Sequence, residues 1–192
     1  IYFSFFIIKK KKNRCALVYI YIYVIIIIMN GNFNYSVNDD YETPIEFWRV
    51  IEPLIPKDLK INDTFYMNGN AKKKWKLLGR NIIHENKDFY KIKKNKKKEI
   101  YVSNPPHHNF NKLLKHLFYL EKPFIMLIPI NKIAYIKTQK IINKQNNIQV
   151  IPSPIYTGFI NADGIKTPNC PNYYCYLCWK LNLEKDLLFL EI

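Results

Sequence analysis

A chain of 192 residues, 48% apolar and 16% aromatic, can bury one full hydrophobic core, which excludes a second domain of comparable size. Thirty Lys and Arg against 15 acidic residues give a formal charge of +15, which disfavours any basic partner met by diffusion and puts nucleic acid first among anionic ones. The bias toward Ile, Lys, Asn, Tyr and Phe with only 5 Gly is also what A/T-rich coding DNA produces.

Residues 1 to 28 stand apart, since 21 of them are Ile, Tyr, Phe, Lys or Asn and residue 1 is not Met. Lys9 to Lys12 and Arg14 precede an apolar run from Ala16 to Met29, the order found in a signal peptide or membrane anchor. That run has 14 residues where a spanning helix needs about 20, three tyrosines interrupt it, and no small-residue cleavage site follows. Three readings stand: translated sequence upstream of a start at Met29, a hydrophobic anchor, or a first strand. A membrane partner is expected only if the segment is genuine. Without its five basic residues the chain keeps 25 against 15, a formal +10. Residues 29 to 40 are Asn-rich and weakly hydrophobic, and are expected to form a flexible arm.

Order is expected from Tyr41, in one domain covering 41 to 192. "TPIEFWRVIEPLI" reads as a helix with Thr43 as N-cap, Pro44 in the first turn, an apolar face of Ile45, Trp48, Val50, Ile51 and Leu54, and an end by Pro56. "LKINDTF" reads as a short strand, "KKKWKLLGRN" as a helix closed by Gly79, and "NIIHE" as another short strand. "EIYVSN" is a strand, "NFNKLLKHLFYL" a helix burying Phe110, Leu113, Leu114, Leu117 and Leu120, and "KPFIMLIPI" a wholly apolar strand. Apolar strands alternating with amphipathic helices require a mostly parallel sheet covered on both faces, an α/β architecture. The tail, "NIQVIPSPIYTGFI" and then "NYYCYLCWKLNL", reads as two antiparallel strands joined by a longer segment.

The cysteines are Cys15, Cys170, Cys175 and Cys178. Sparse cysteine implies a reducing compartment, cytoplasmic or nucleic-acid-associated rather than secreted. Cys175-x-x-Cys178 invites a zinc or redox reading, with His107 and His108 as conceivable partners. It lies inside a strand-like apolar run, however, and a structural zinc site usually takes two such pairs, so the thiols are expected to act as small hydrophobes with no metal.

In an open α/β sheet, ligands sit at the carboxyl ends of the strands. Three such ends carry informative residues: Asp63-Thr64-Phe65-Tyr66-Met67-Asn68-Gly69, then Glu85 followed by Asp88-Phe89, then Asn104-Pro105-Pro106-His107. In this order, TP, DxFxxxG, DF and NPP, the chain from Tyr41 to Leu190 resembles the class I S-adenosylmethionine-dependent methyltransferases, and within them the small adenine-specific DNA methyltransferases of phages and large viruses. The resemblance implies the three-layer, Rossmann-like class I methyltransferase fold with an antiparallel C-terminal hairpin strand, S-adenosyl-L-methionine as cofactor and DNA as substrate; a monomer is expected, though no residue pattern bears on oligomeric state. It places Thr43, Pro44, Asp63, Phe65 and Gly69 toward the methionine part of the cofactor, Glu85 toward its ribose, and Asp88 and Phe89 toward its adenine.

The chemistry gives NPP its meaning. An exocyclic amine on an aromatic base is a poor nucleophile because its lone pair is delocalised into the ring. A side-chain oxygen and a backbone carbonyl fixed by proline can accept both amine hydrogens and aim the lone pair. By resemblance Asn104 and the carbonyl of Pro105 take these roles, with Pro106 stiffening the corner, and His107 stands where the family usually has an aromatic residue that stacks on the extruded base. Met67 stands where glycine is common. His108 and His116 read as helix-surface residues. The run "KIKKNKKK", with Lys93, Lys94, Lys96, Lys97 and Lys98, is expected either to meet DNA phosphates or to be a solvated loop. Transfer to RNA or to a protein glutamine, and an inactive nucleic-acid-binding relative, are the alternative readings.

Overall fold

A computed structural model describes residues 41–161, 163–167 and 172–191. The leader or anchor reading of 1–28, the arm at 29–40, and Cys15 and Cys170 lie outside the described residues. Among those described, no helix is long and apolar enough to cross a membrane.

Five strands form one mixed sheet: β1 (Lys60–Asn62), β2 (Glu99–Ser103), β3 (Phe124–Pro129), β4 (Ile148–Pro152) and β5 (Tyr174–Trp179). Their order is β1-β2-β3-β5-β4. β1, β2 and β3 are parallel neighbours. β5 runs antiparallel to both β3 and β4, so the last strand is an interior one. Antiparallel pairing of the tail strands is as expected. The position of β5 between them is set by long-range contacts that alternation does not encode.

The helices are α1 (Ile45–Ile51), α2 (Ala71–Leu77), α3 (Phe110–Leu120), α4 (Asn131–Ala134) and α5 (Ile136–Ile142), with 3-10 turns at Glu52–Leu54 and Phe89–Lys91. Strand residues alternate between two cores because successive side chains leave a strand on opposite faces. On one face Phe124, Met126, Ile128, Leu177 and Trp179 pack against α3, α4 and α5, through Leu113, Leu114, Leu117, Ile133 and Ile142. On the other, Ile100, Val102, Ile125, Leu127 and Tyr176 pack against α1 and α2 through Phe47, Trp48, Ile51 and Trp75. This is the three-layer α/β arrangement that uniformly apolar strands demand.

Two local readings are corrected, and two helices appear where none was expected. Thr43 is not a side-chain cap; Pro44 occupies the N-cap position of α1 with no side-chain cap bond, and the buried face centres on Phe47, Trp48 and Ile51. The segment "NIIHE" contracts to a bridge at Ile83, parallel to Asn62, because of its five residues only Ile82 and His84 are buried. The connection from β3 to β4 contains α4 and α5, which no periodic apolar pattern announces, since only Ile133, Thr138 and Ile142 are buried there.

Cys175 and Cys178 settle within β5 as buried small hydrophobes. Three residues apart on a strand, they face opposite sides of the sheet, Cys175 in the α3 core and Cys178 in the α1 core. Burial holds both thiols far above their ordinary range. Their geometry separates rather than joins them.

Candidate active site

The parallel strands β1 and β2 deliver their carboxyl ends to one rim, and the loops that leave them carry the polar cluster. Asp63 follows β1 directly and is 3% exposed. The hydroxyl of Ser103, the last residue of β2, donates to Asp63 Oδ1, and the Phe65 amide donates to the same oxygen at 3.3 Å. His84 Nδ1 lies 2.9 Å from the Asp63 carbonyl, which can only accept, so that nitrogen carries the proton. Burial pushes the Asp63 carboxyl up to about 6, with the Ser103 hydroxyl, His84 and the Phe65 amide pulling the other way.

The chain then turns. Gly69 has φ +79°, and its amide donates to the Tyr66 carbonyl at 2.8 Å. A Cβ at Gly69 would stand 2.8 Å from the Tyr66 hydroxyl. Tyr66 stacks on His84 at 4.9 Å. Met67 has φ +45°, a left-handed conformation, and is 44% exposed.

One residue beyond Ser103 stands Asn104. Its Nδ2 donates to Thr43 Oγ1 at 3.0 Å across 61 positions of sequence, while its buried Oδ1 has no hydrogen-bond partner among the described residues. Thr43 is itself fixed from the other side. Lys74 donates to the Thr43 carbonyl and pairs with Glu42, which accepts from Asn68 and Asn70 at 2.7 Å each. Burial alone would raise the Glu42 carboxyl, but Lys74 and the two amides outweigh it and hold it below the usual range. Pro105 is buried and Pro106 half-buried. His107 is half-buried, its ring 6.1 Å from that of Tyr174, and Lys132 donates to its carbonyl at 3.1 Å.

Thr43, Asp63, Phe65, Gly69, Asn104 and the two prolines therefore gather at the rim. Phe89 joins them through a ring contact with Phe65 at 5.0 Å. Asp88 is exposed and caps the 3-10 turn by accepting from the Tyr90 amide at 2.9 Å. Glu85 is exposed beside Lys87 at 2.5 Å, which lowers its carboxyl. The lysine run leads away from this rim, Lys93 to Lys98 running into the amino end of β2, although the charge of Lys97 still adds to the pull on the Glu85 carboxyl.

Sequence reasoning missed Ser103, His84, Lys74 and Glu42. Ser103 and His84 adjoin Asn104 and Glu85, and their place at strand ends was the available signal; the Glu42–Lys74 pairing had none. Among the described residues Thr64 Oγ1 and His84 Nε2, near the rim, also lack partners, as do Trp75 Nε1, the Tyr101 hydroxyl and His116 Nε2 elsewhere. Buried polar groups are rarely left so, and Thr64, His84 and Asn104, all at carboxyl strand ends, form a set suited to a polar ligand. Exposed tyrosines 156 and 173, 5.3 Å apart, lie where β4 ends and β5 begins, on the same edge. The sequence matches no known family profile and no curated protein.

Proposed function

We propose that the chain is an S-adenosylmethionine-dependent methyltransferase acting on the exocyclic amine of adenine in DNA. The observation that carries this reading is Asn104: a buried amide whose nitrogen is held by Thr43 and whose oxygen is left without a donor among the described residues. A buried acceptor in that state costs about 1–3 kcal/mol, a cost that a ligand N–H arriving at the rim removes. The mixed sheet, parallel through β1, β2 and β3 and with its last strand reversed, is consistent with the class I methyltransferase fold that the TP, DxFxxxG, DF and NPP residues resemble.

The residues present fit the cofactor. The loop from Asp63 to Gly69 would hold its methionine part, beside Thr43 and Pro44; Glu85, which shares one oxygen with Lys87, would accept from a ribose hydroxyl, and Asp88 from the adenine amine, while Phe89, buried against Phe65, would back the site from within the core. S-adenosylmethionine, when bound, supplies an electrophilic methyl carbon on sulfur. The work of the chain's own groups is orientation. Asn104 Oδ1 and the Pro105 carbonyl accept the two amine hydrogens, which turns the nitrogen lone pair outward, and the proline pair keeps that corner from relaxing. His107 offers an imidazole face to the extruded base, smaller than a tyrosine's. Met67 adopts the backbone conformation that glycine takes freely, and it is 44% exposed.

The test is incubation of the full chain with methyl-labelled S-adenosylmethionine and adenine-containing DNA, followed by nucleoside analysis. Label on N6-methyladenine is expected, and Asn104→Ala should reduce the rate by about 10²-fold or more, the scale of losing one aligned polar group. Label on RNA or protein instead of DNA would move the substrate class. Undiminished methylation by Asn104→Ala would refute the mechanism.

A further inference from the structure

The lysine run that the rim does not use belongs to a longer surface. On α3, Lys112, Lys115, His116 and Tyr119 recur at helical spacing on the side opposite the buried Leu113, Leu114, Leu117 and Phe118. The 3-10 turn lies along this stripe: Lys112 Nζ sits 4.3 Å over the Tyr90 ring, and His116 touches Phe89, Tyr90 and Tyr119 at 4.9, 5.6 and 5.6 Å. The lysine loop joins its far end, where Lys94 lies 5.2 Å over the Tyr119 ring and pairs with Glu121 at 2.7 Å. Tyr90 and Tyr119 are 39% and 51% exposed. From 88 to 122 the chain holds nine lysines and three acids, of which Glu99 is buried and Glu121 is paired with Lys94.

This ribbon starts beside the NPP loop, because α3 follows it, and ends at the amino edge of the sheet. Cations interleaved with exposed aromatic rings are what a strand of nucleic acid uses: phosphates take the lysines, and bases or sugars lie on the rings. The direction of the ribbon selects the form of the strand. α3 links parallel neighbours β2 and β3, so it runs back along the strand axis, away from the rim. A chain engaged at Asn104 and continuing on the ribbon turns off the rim and descends about 10 Å between Lys112 and Tyr119, at 1.5 Å per residue. Duplex DNA, with a persistence length of about 150 base pairs, resists such a turn, whereas an unpaired strand does not.

We propose that the Tyr90–Tyr119 ribbon and the lysine loop bind the single-stranded flank of a nucleic acid whose target base lies at Asn104. The inference rests on the proposed methyltransferase reading for what lies at the rim, but binding to the ribbon is measured without any methyl donor. The experiment uses the full chain and labelled adenine-containing oligonucleotides, single-stranded and duplex, with affinity read by anisotropy across about 50 to 200 mM salt. If the five loop lysines each meet a phosphate, the single-strand slope of log affinity on log salt includes about −3.5 from them. Lys93, Lys94, Lys96, Lys97 and Lys98 changed together to Gln should remove that part and weaken single-strand binding at least about tenfold at the low-salt end. Tyr119→Ala should weaken it further with no change in slope.

Tighter binding of the single strand than of the duplex, with the slope flattened in the lysine variant, is the expected result. A variant with unchanged slope, or a duplex bound as tightly as the single strand, overturns the ribbon even if wild-type methylation is intact. Absence of methylation alongside lysine-dependent single-strand binding overturns the methyltransferase reading and leaves the ribbon standing.

Discussion

Thr43 is 7% exposed, and its hydroxyl accepts the one hydrogen bond that the Asn104 side chain makes among the described residues, so Thr43→Val removes one oxygen and little volume from the heart of the proposed mechanism. The amide nitrogen then loses its partner in a half-buried setting, which costs about 1–2 kcal/mol. The same loss frees the amide to rotate, and each rotated molecule presents N–H donors where the amine hydrogens need an acceptor. If the whole cost appears in the transition state, kcat for methyl transfer falls by about 5- to 30-fold. KM for DNA should stay within about twofold, because in the proposed mechanism the amide acts on one nitrogen of a substrate that would be bound mainly through other groups. Single-turnover transfer of labelled methyl reads the chemical step separately from product release, and Thr43→Ser, which restores the hydroxyl, should recover its rate. A double variant, Thr43→Val with Asn104→Ala, should be no slower than Asn104→Ala alone, since both act through one amide. Full activity in Thr43→Val, or additive losses in the double variant, would refute the claim that Thr43 works by holding Asn104.

Two further predictions concern stability. Asp63, raised to about 6 by burial, binds its proton more tightly folded than unfolded, so its contribution is present below the unfolded value near 4 and is lost as pH rises through about 6. Asp63→Asn should flatten that fall, worth about 2–3 kcal/mol, in urea melts between pH 4 and 7; a pH profile identical to wild type would contradict the assignment. Met67→Gly should raise stability by about 0.5–1 kcal/mol, the relief of φ +45° less the extra chain entropy of glycine, and an unchanged or lowered melting point would show that the turn is not strained.

Much of the architecture was legible because periodicity is a local property. The all-apolar "FIMLIP" became β3, buried on both faces, and the helix after NPP buries the leucines its spacing named. Gly79 closes α2 in the left-handed conformation its position implied. Failures came where local pattern carries little information. α4 and α5 are short and form because the sheet face beneath them needs covering, with Ile133 and Ile142 as anchors. Thr43 looked like a helix cap because threonine before proline usually is one, but tertiary packing offered its hydroxyl a different donor.

The amino-acid sequence by itself determined the alternation of strands and helices, the strand-end placement of Asp63 and Asn104, and the basic charge. Hydrophobic spacing and turn residues act within a few positions of chain, so they can be read in one dimension. Only the tertiary structure decided that β5 lies between β3 and β4, that Cys175 and Cys178 face opposite cores, that Glu42 and Lys74 brace Thr43 against Asn104, and that the lysine run leads away from the rim. Each of these depends on residues far apart in sequence, or on the sheet's order and direction, which are fixed only when distant segments compete for the same buried surface.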